Sequence, residues 1–277
     1  MHGKSRVSFY EQARDVAVEA AFQAAHLIRT HAGRLHDADV QEKGIHDLVT
    51  HVDEASQALI IDRLSRIFPE HDVLAEEGAD GASPAEAADG YRWIIDPIDG
   101  TTNFTRGLSP YAVSIALQHG RQVVVGVVLE VMHDELFTAV RGGGAYRNGV
   151  RIHVSPQDRL DRSLLATGFP YRAFSHMDSY VAVFSRFMRE TRGMRRFGSA
   201  SVDLAYVACG RFDGFYETGL QVWDVAAGLL LVEEAGGRVT DYRDASNPLF
   251  TEQILASNGL VHEAMLTVLQ SMRAVRD

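Results

Sequence analysis

The side chains able to do chemistry in this chain are mostly carboxylates. The segment WIIDPIDGTTNF, residues 93–104, sets Asp96 and Asp99 three positions apart straight after an apolar run. Aspartate is a poor strand residue, and its carboxylate is costly to bury without a partner. Three more acidic groups stand at the ends of predicted elements: Asp47 with Asp53, Glu76 with Glu77, and Glu217 with Asp224. Taken singly, such residues read equally well as solvated surface or helix caps. Glu233 and Glu234 fall inside a helical pattern and read as a solvated face. Asp96 is harder to dismiss, because Pro97 excludes helical geometry there and fixes a turn. The main-chain carbonyl of Ile98, between the two aspartates, can point at the same ion. Carboxylates, a carbonyl and water are the ligands a hard cation takes. The chain has 12 histidines but no HExxH and no Cys-His zinc spacing. His46 and His51 lie near the first acidic pair and read as peripheral, so magnesium fits better than zinc. Gly100, Thr101 and Thr102 supply the other half of a phosphate site. Glycine lets the backbone approach a ligand, and the three amides can form an anion nest. A plain turn is the competing reading.

The elements that must position these groups are legible in outline. Residues 7–31 carry apolar positions at helical spacing, and a second helix is expected from about Asp53 to Pro69. DVLAEE is a short strand, residues 78–90 a loop, and YRWIID, YAVSIALQHG, RQVVVGVVLEV and ELFTAVRGG follow as strands. Asn148-Gly149 marks a hairpin turn in GGGAYRNGVRIHVS. After about Ser155, strands alternate with helices: SLLATGF, a helix over 179–192, MRRFG, the helix SASVDLAYVACG, FDGFYETG, the helix VWDVAAGLLLVEEAGG, RVTDY, QILASN and a last helix over 260–273. That alternation predicts an α/β half. The expected division is an N-terminal α+β half, residues 1–154, holding the metal and phosphate loops, and a C-terminal α/β half, residues 155–277, holding substrate residues.

Composition narrows the function classes. With 277 residues and a net charge of −10, the chain can bury a sizeable core but lacks the basic surface of a general nucleic-acid binder. A phosphate substrate remains compatible where a metal supplies local positive charge. Cys209 is the one cysteine, so no intrachain disulfide forms, and its apolar setting reads as a core thiol rather than a nucleophile. No apolar run spans a bilayer and the N-terminus lacks a signal core, so a soluble cytoplasmic protein is expected. Arg186, Arg192, Arg195 and Arg196 form a modest basic group that reads as a solvated helix face.

Several long motifs occur in one order: KGIHDLVTHVD, the Glu76-Glu77 pair, WIIDPIDGTTNF, FGSASVDLAYVACGRFDGFYE and WDVAAGLLLVEEAGG. On these the chain resembles the inositol monophosphatases, in their bacterial branch, over nearly its whole length. The resemblance implies a layered αβαβα sandwich, a homodimer and two to three magnesium ions. It implies that Glu76, Asp96 and the Ile98 carbonyl hold one ion, that Asp96, Asp99 and Asp224 hold a second, and that a weaker third touches Glu76. Thr101 and Glu76 would orient the attacking water, with Asp47, Asp53 and Lys43 supporting the metal loop. Gly100, Thr101 and Thr102 would face the phosphate. Glu217, Asp224 and the main chain near Ala200 would face the alcohol, and Asp99 would also touch the substrate. The implied reaction is hydrolysis of inositol 1-phosphate and related monophosphates, with lithium inhibiting. The family also holds phosphatases of nucleotides, other sugars and histidinol phosphate. Bacterial members also join ribosomal RNA transcription complexes through protein contacts, which makes a regulatory partner the alternative.

Overall fold

A computed structural model of the chain describes residues 2–35, 39–44, 47–78, 90–170 and 177–271, and for residues 2–7, 43, 44 and 47 the backbone alone. The expected loop over 78–90 lies outside the described residues except at its two ends.

The chain opens with helix α1 (His2–His31), whose buried face is built mainly of alanines: Ala13, Ala17, Ala20, Ala21, Ala24 and Ala25. Small side chains let the helix lie close on the sheet beneath it. A two-stranded antiparallel ladder follows, β1 (Val40–Gly44) with β2 (Asp47–Thr50). Its polar sequence gave no strand signal. Helix α2 (His51–Ile67) starts directly after it, with Thr50 as N-cap and Asp53 as the third helical residue of a capping box.

Seven strands then form one sheet in sequence order: β3 (Asp72–Ala75), β4 (Tyr91–Asp99), β5 (Ala112–His119), β6 (Gln122–Glu130), β7 (Glu135–Val140), β8 (Gly144–Arg147) and β9 (Val150–Ile152). β3 and β4 are parallel and the rest antiparallel. β4 runs past the expected YRWIID and takes in Pro97 to Asp99, ending at the short helix α3 (Thr101–Thr105). A second sheet holds β10 (Leu164–Thr167), β11 (Gly193–Arg195), β12 (Gly214–Thr218), β13 (Arg238–Thr240) and β14 (Gln253–Ser257), in the order β11-β10-β12-β14-β13. Between these strands come α4 (Met177–Glu190), α5 (Ala200–Ala208) and α6 (Val222–Glu234), and α7 (His262–Gln270) follows them.

Burial orders these elements into layers. α1 and α2 cover one face of the seven-stranded sheet, around Trp93, Ile95, Val113 and Val127. α5 and α6 lie between the two sheets, and α6 is buried nearly all round, with Val225, Ala226, Leu229, Leu230, Leu231 and Val232 all inside. A helix apolar on every side belongs between two layers. α4 and α7 close the outer face of the second sheet around Phe187, Tyr216, Met265 and Leu269. The architecture is the αβαβα sandwich that the resemblance implied.

Two expectations are corrected here. Glu233 and Glu234 are not a bare solvated pair. Glu234 accepts from the amides of Gly142 at 2.8 Å and Gly144 at 2.9 Å, while Glu233 pairs with Arg141 at 2.8 Å. The carboxylates thus clamp the C-terminal end of α6 to the β7–β8 turn. The arginine group is not one helix face either: Arg186 pairs along α4 with Glu190, but Arg195 ends β11 and Arg196 lies beyond it. MRRFG forms a strand only as far as Arg195, and beyond it the Asn103 side-chain amide donates to the Phe197 carbonyl at 2.7 Å. Among the described residues no helix is long and apolar enough to cross a membrane.

Candidate functional site

The site begins where β4 stops being regular. Across the β4–β5 ladder Asp96 pairs with Ser114 and Asp99 with Ala112, so β4 carries one residue more than its neighbour at this point. Such a bulge re-aims side chains at a strand end. The Asp96 Oδ1 accepts from the Ile98 amide at 3.0 Å, which locks the Asp-Pro-Ile-Asp turn. Gly100 then takes φ +97, and a Cβ there would stand 3.1 Å from the Gly198 carbonyl and 3.2 Å from that of Pro110. Both the left-handed backbone and the crowding call for glycine.

Four other elements converge on this turn. The α2 N-terminus brings Asp53, fully buried. Its Oδ2 accepts from the Thr50 amide at 2.9 Å and hydroxyl at 2.6 Å, and its Oδ1 accepts from the Thr101 hydroxyl at 3.1 Å. Thr101 Oγ1 also lies 3.0 Å from the Ile98 carbonyl. Beyond β3, Glu76 hangs its amide on the Ile95 carbonyl at 3.1 Å, and Gln57 pairs both amide groups with the main chain of Glu77. The α6 N-terminus brings Asp224, whose Oδ2 accepts from the Gln221 amide at 2.7 Å. At the α5 N-terminus, Asp99 Oδ2 accepts from Ser199 Oγ at 2.7 Å, from the Ser201 amide at 2.7 Å and from Ser201 Oγ. The Ala200 amide adds to this cradle.

Asp96 is at the centre. Burial first, then the charges of Glu76, Asp99, Asp224 and Asp53, push its carboxyl well above the usual range. Asp99 is also pushed up by burial, against the lowering effect of its serine donors. Among the described residues the carboxylates do not gather into a group of three or more that could hold a metal ion as they stand. The charges of Glu76, Asp99, Asp224 and Asp53 nonetheless all act on Asp96. A buried all-oxygen group of this kind lacks positive charge, and a hard divalent cation is the species that fits it.

Glu217, on β12, faces the same space from the other side. It is 6% exposed, and its carboxyl is pushed up to about 8 by burial and by Asp224 and Asp99, with Arg196 opposing. The folded carboxyl therefore keeps its proton at pH values where the unfolded one has lost it. Stability must fall as pH rises from the ordinary glutamate range towards 8. Glu217→Gln removes this cost. In chelator-containing buffer its melting temperature, relative to the unsubstituted protein, is expected to gain steadily from pH 5 to pH 8. A gap that stays constant across that range would contradict the burial account.

The structure thus brings together Asp53, Glu76, Asp96, Ile98, Asp99, Gly100, Thr101, Thr102, Ala200, Glu217 and Asp224. The side chains of Lys43 and Asp47 lie outside the described residues. Sequence reasoning missed two charged groups here. Asp203, on α5, is fully buried with Oδ1 unpartnered, and burial, then Glu217 and Asp99, push its carboxyl well up. A lone acid in the apolar run ASVDLAYVA was the available signal. Arg196 lies 5.3 Å from the Phe169 ring and lowers the carboxyl pKa values of both Glu217 and Asp203. Nothing in the sequence separated it from its neighbouring arginine.

The model of the inositol monophosphatase family matches residues 10–274. The Nus factor SuhB of Escherichia coli is 44% identical over 253 residues, covering 91% of this chain and 93% of that protein. The inositol-1-monophosphatase of Mesorhizobium japonicum is 39% identical over 262 residues, covering 95% of this chain and 97% of that protein. Among solved structures, the extragenic suppressor protein SuhB of Bartonella henselae superposes with a TM-score of 0.86 at 39% identity, over 94% of this chain and 98% of that one. The Thermotoga maritima IMPase does so with a TM-score of 0.86 at 35% identity, over 95% and 99%. The chain belongs to the inositol monophosphatase family.

Proposed function

We propose that the protein is a magnesium-dependent phosphomonoesterase acting on inositol 1-phosphate and related monophosphates of polyols. The observation that carries this reading is the buried carboxylate group around Asp96, set directly beside the Thr101–Asp53 hydrogen bond. Glu76, Asp96, Asp99, Asp224 and the Ile98 carbonyl would hold two to three magnesium ions. When bound, these supply charge neutralisation for the phosphate and lower the pKa of a water.

The chain's own groups do the rest. The amides of Gly100, Thr101 and Thr102 face the phosphate oxygens. With its proton given to Asp53 Oδ1, Thr101 Oγ1 offers a lone pair to the attacking water, and Glu76 orients that water from the other side. Water oxygen bonds to phosphorus as the ester P–O bond breaks; of the water's two protons, one stays on the phosphate and the other ends on the alcohol oxygen. Glu217, Asp224 and the Ala200 main chain hold the alcohol's hydroxyls. A covalent thiol route is disfavoured, since burial pushes the Cys209 thiol up and away from the reactive thiolate. In this reading residues 1–154 carry the metal and phosphate groups, residues 155–277 the alcohol-facing ones, and the enzyme works as a cytoplasmic homodimer that lithium inhibits.

The Nus factor name carried by relatives at 44% identity favours a second reading, a regulatory partner of transcription-complex proteins. Phosphate release from inositol 1-phosphate decides between them. The enzyme reading expects turnover that rises with magnesium and vanishes with chelator. A folded protein without magnesium-dependent release would leave the partner role standing alone.

A further inference from the structure

The parallel ladder of β10 and β12 ends with Thr167 opposite Tyr216, and Gly168 and Glu217 are the residues that follow that last pair. Neighbours across a ladder present side chains to the same face. Here one side chain fills the room of two. A Cβ built on Gly168 would stand 1.8 Å from Glu217 Oε1, 1.9 Å from its Cδ and 2.1 Å from Oε2. The Glu217 carboxylate therefore occupies the place where the side chain of residue 168 would be. Backbone conformation is not the reason for glycine here, since Gly168 is not among the positive-φ residues.

Hydrogen bonds hold the main chain at this point. The Tyr180 hydroxyl donates to the Gly168 carbonyl at 2.5 Å, and the Thr167 hydroxyl donates to the Tyr216 carbonyl at 2.8 Å. Thr167 and Tyr216 are fully buried and Tyr180 nearly so. On the next residue, the Phe169 ring carries the Arg196 guanidinium, which acts on Glu217 as a positive charge.

We propose that Gly168 is a specificity-determining positioning residue: by leaving its side-chain space to the Glu217 carboxylate, it sets the pose in which that carboxylate accepts hydrogen bonds from a polyhydroxylated leaving group. The proposal rests on the phosphomonoesterase reading and adds the residue that tunes it. A side chain at position 168 pushes the carboxylate off the end of β10 and out of reach of the ring hydroxyls. The residues that would face the phosphate and hold the cations lie on other elements, so the selectivity moves more than the chemistry does.

The test is a double-mutant cycle read on two substrates, inositol 1-phosphate and p-nitrophenyl phosphate, in saturating magnesium. The readout is the ratio of their kcat/KM values. Turnover of p-nitrophenyl phosphate by the unsubstituted protein reports on the phosphomonoesterase reading, and its absence sinks that reading separately. Gly168→Ala is expected to lower the ratio about tenfold or more, mainly through KM for the inositol ester, as loss of a buried hydroxyl contact does. Glu217→Ala is expected to lower it likewise. In the Glu217→Ala background, adding Gly168→Ala should change the ratio less than about twofold, because nothing is left to displace. Melting temperatures give a second cycle: any loss caused by Gly168→Ala must shrink in the Glu217→Ala background, where the new methyl has room. Equal losses on both substrates, or the same loss with and without Glu217, overturn the proposal.

Discussion

Asp96→Asn is expected to lower kcat/KM for phosphate release by about three orders of magnitude or more. Asp96 is 2% exposed and lies in the field of Glu76, Asp99, Asp224 and Asp53. Its carboxylate is the centre of the charge that a hard cation needs, and an amide carries none of that charge. The geometry around it should survive, because an asparagine oxygen can still accept from the Ile98 amide. Stability should move the other way. The raised carboxyl pKa means that the folded state loses stability as pH climbs above the ordinary aspartate range. Without cations at neutral pH, Asp96→Asn should therefore melt at a higher temperature than the unsubstituted protein. On the proposed metal role, added magnesium should raise the melting temperature of the unsubstituted protein by mass action and leave the variant nearly unmoved. Calorimetric titration with magnesium alone gives the same answer without turnover. A variant that binds magnesium normally and keeps near-full activity would remove Asp96 from the centre of the site.

Asp96 was legible in the sequence because it breaks several local rules at once. A carboxylate after Trp-Ile-Ile and before a proline suits neither a plain strand nor a helix, and such inconsistencies gather at functional sites. The helices were legible from periodicity, and the middle layer from the unbroken apolar run of VWDVAAGLLLVEEAGG. What failed to show depends on contacts distant in the chain. β1 and β2 pair through main-chain bonds between polar residues, which leave no hydrophobic pattern. The role of Glu234 exists only because the turn at Gly142 to Gly144 comes up against α6. Gly168 looks like any strand-end glycine until Glu217 is placed beside it. Asp53 was half legible: its capping position could be anticipated, but its bond to Thr101 joins residues far apart in sequence and needed the fold.

That bond supports the second large expected effect. Thr101→Ala should lower kcat about 10²–10⁴-fold with little change in KM, the range for a group that positions the nucleophile or manages its proton. The Thr101 hydroxyl sits 3.1 Å from Asp53 Oδ1 and 3.0 Å from the Ile98 carbonyl, so these two acceptors share its one proton and its lone pairs are left to accept from a water. Thr101→Ser keeps the hydroxyl and should keep most of the activity. Asp53→Asn is harsher for a reason that the geometry supplies. Both Asp53 oxygens accept hydrogen bonds, Oδ1 from Thr101 and Oδ2 from the Thr50 amide and hydroxyl. An asparagine must aim its NH₂ group at one of these donor sets. If it faces Thr101, the nucleophile's support is lost. If it faces Thr50, the cap of α2 goes, at about 1 kcal/mol. Asp53→Asn should therefore show a lower kcat or a lower melting temperature, and Thr101→Ala a lower kcat with its melting temperature nearly intact. Steady-state kinetics beside thermal melts of the three variants separate these outcomes. If Thr101→Ala raised KM and left kcat untouched, Thr101 would bind substrate rather than prepare the water.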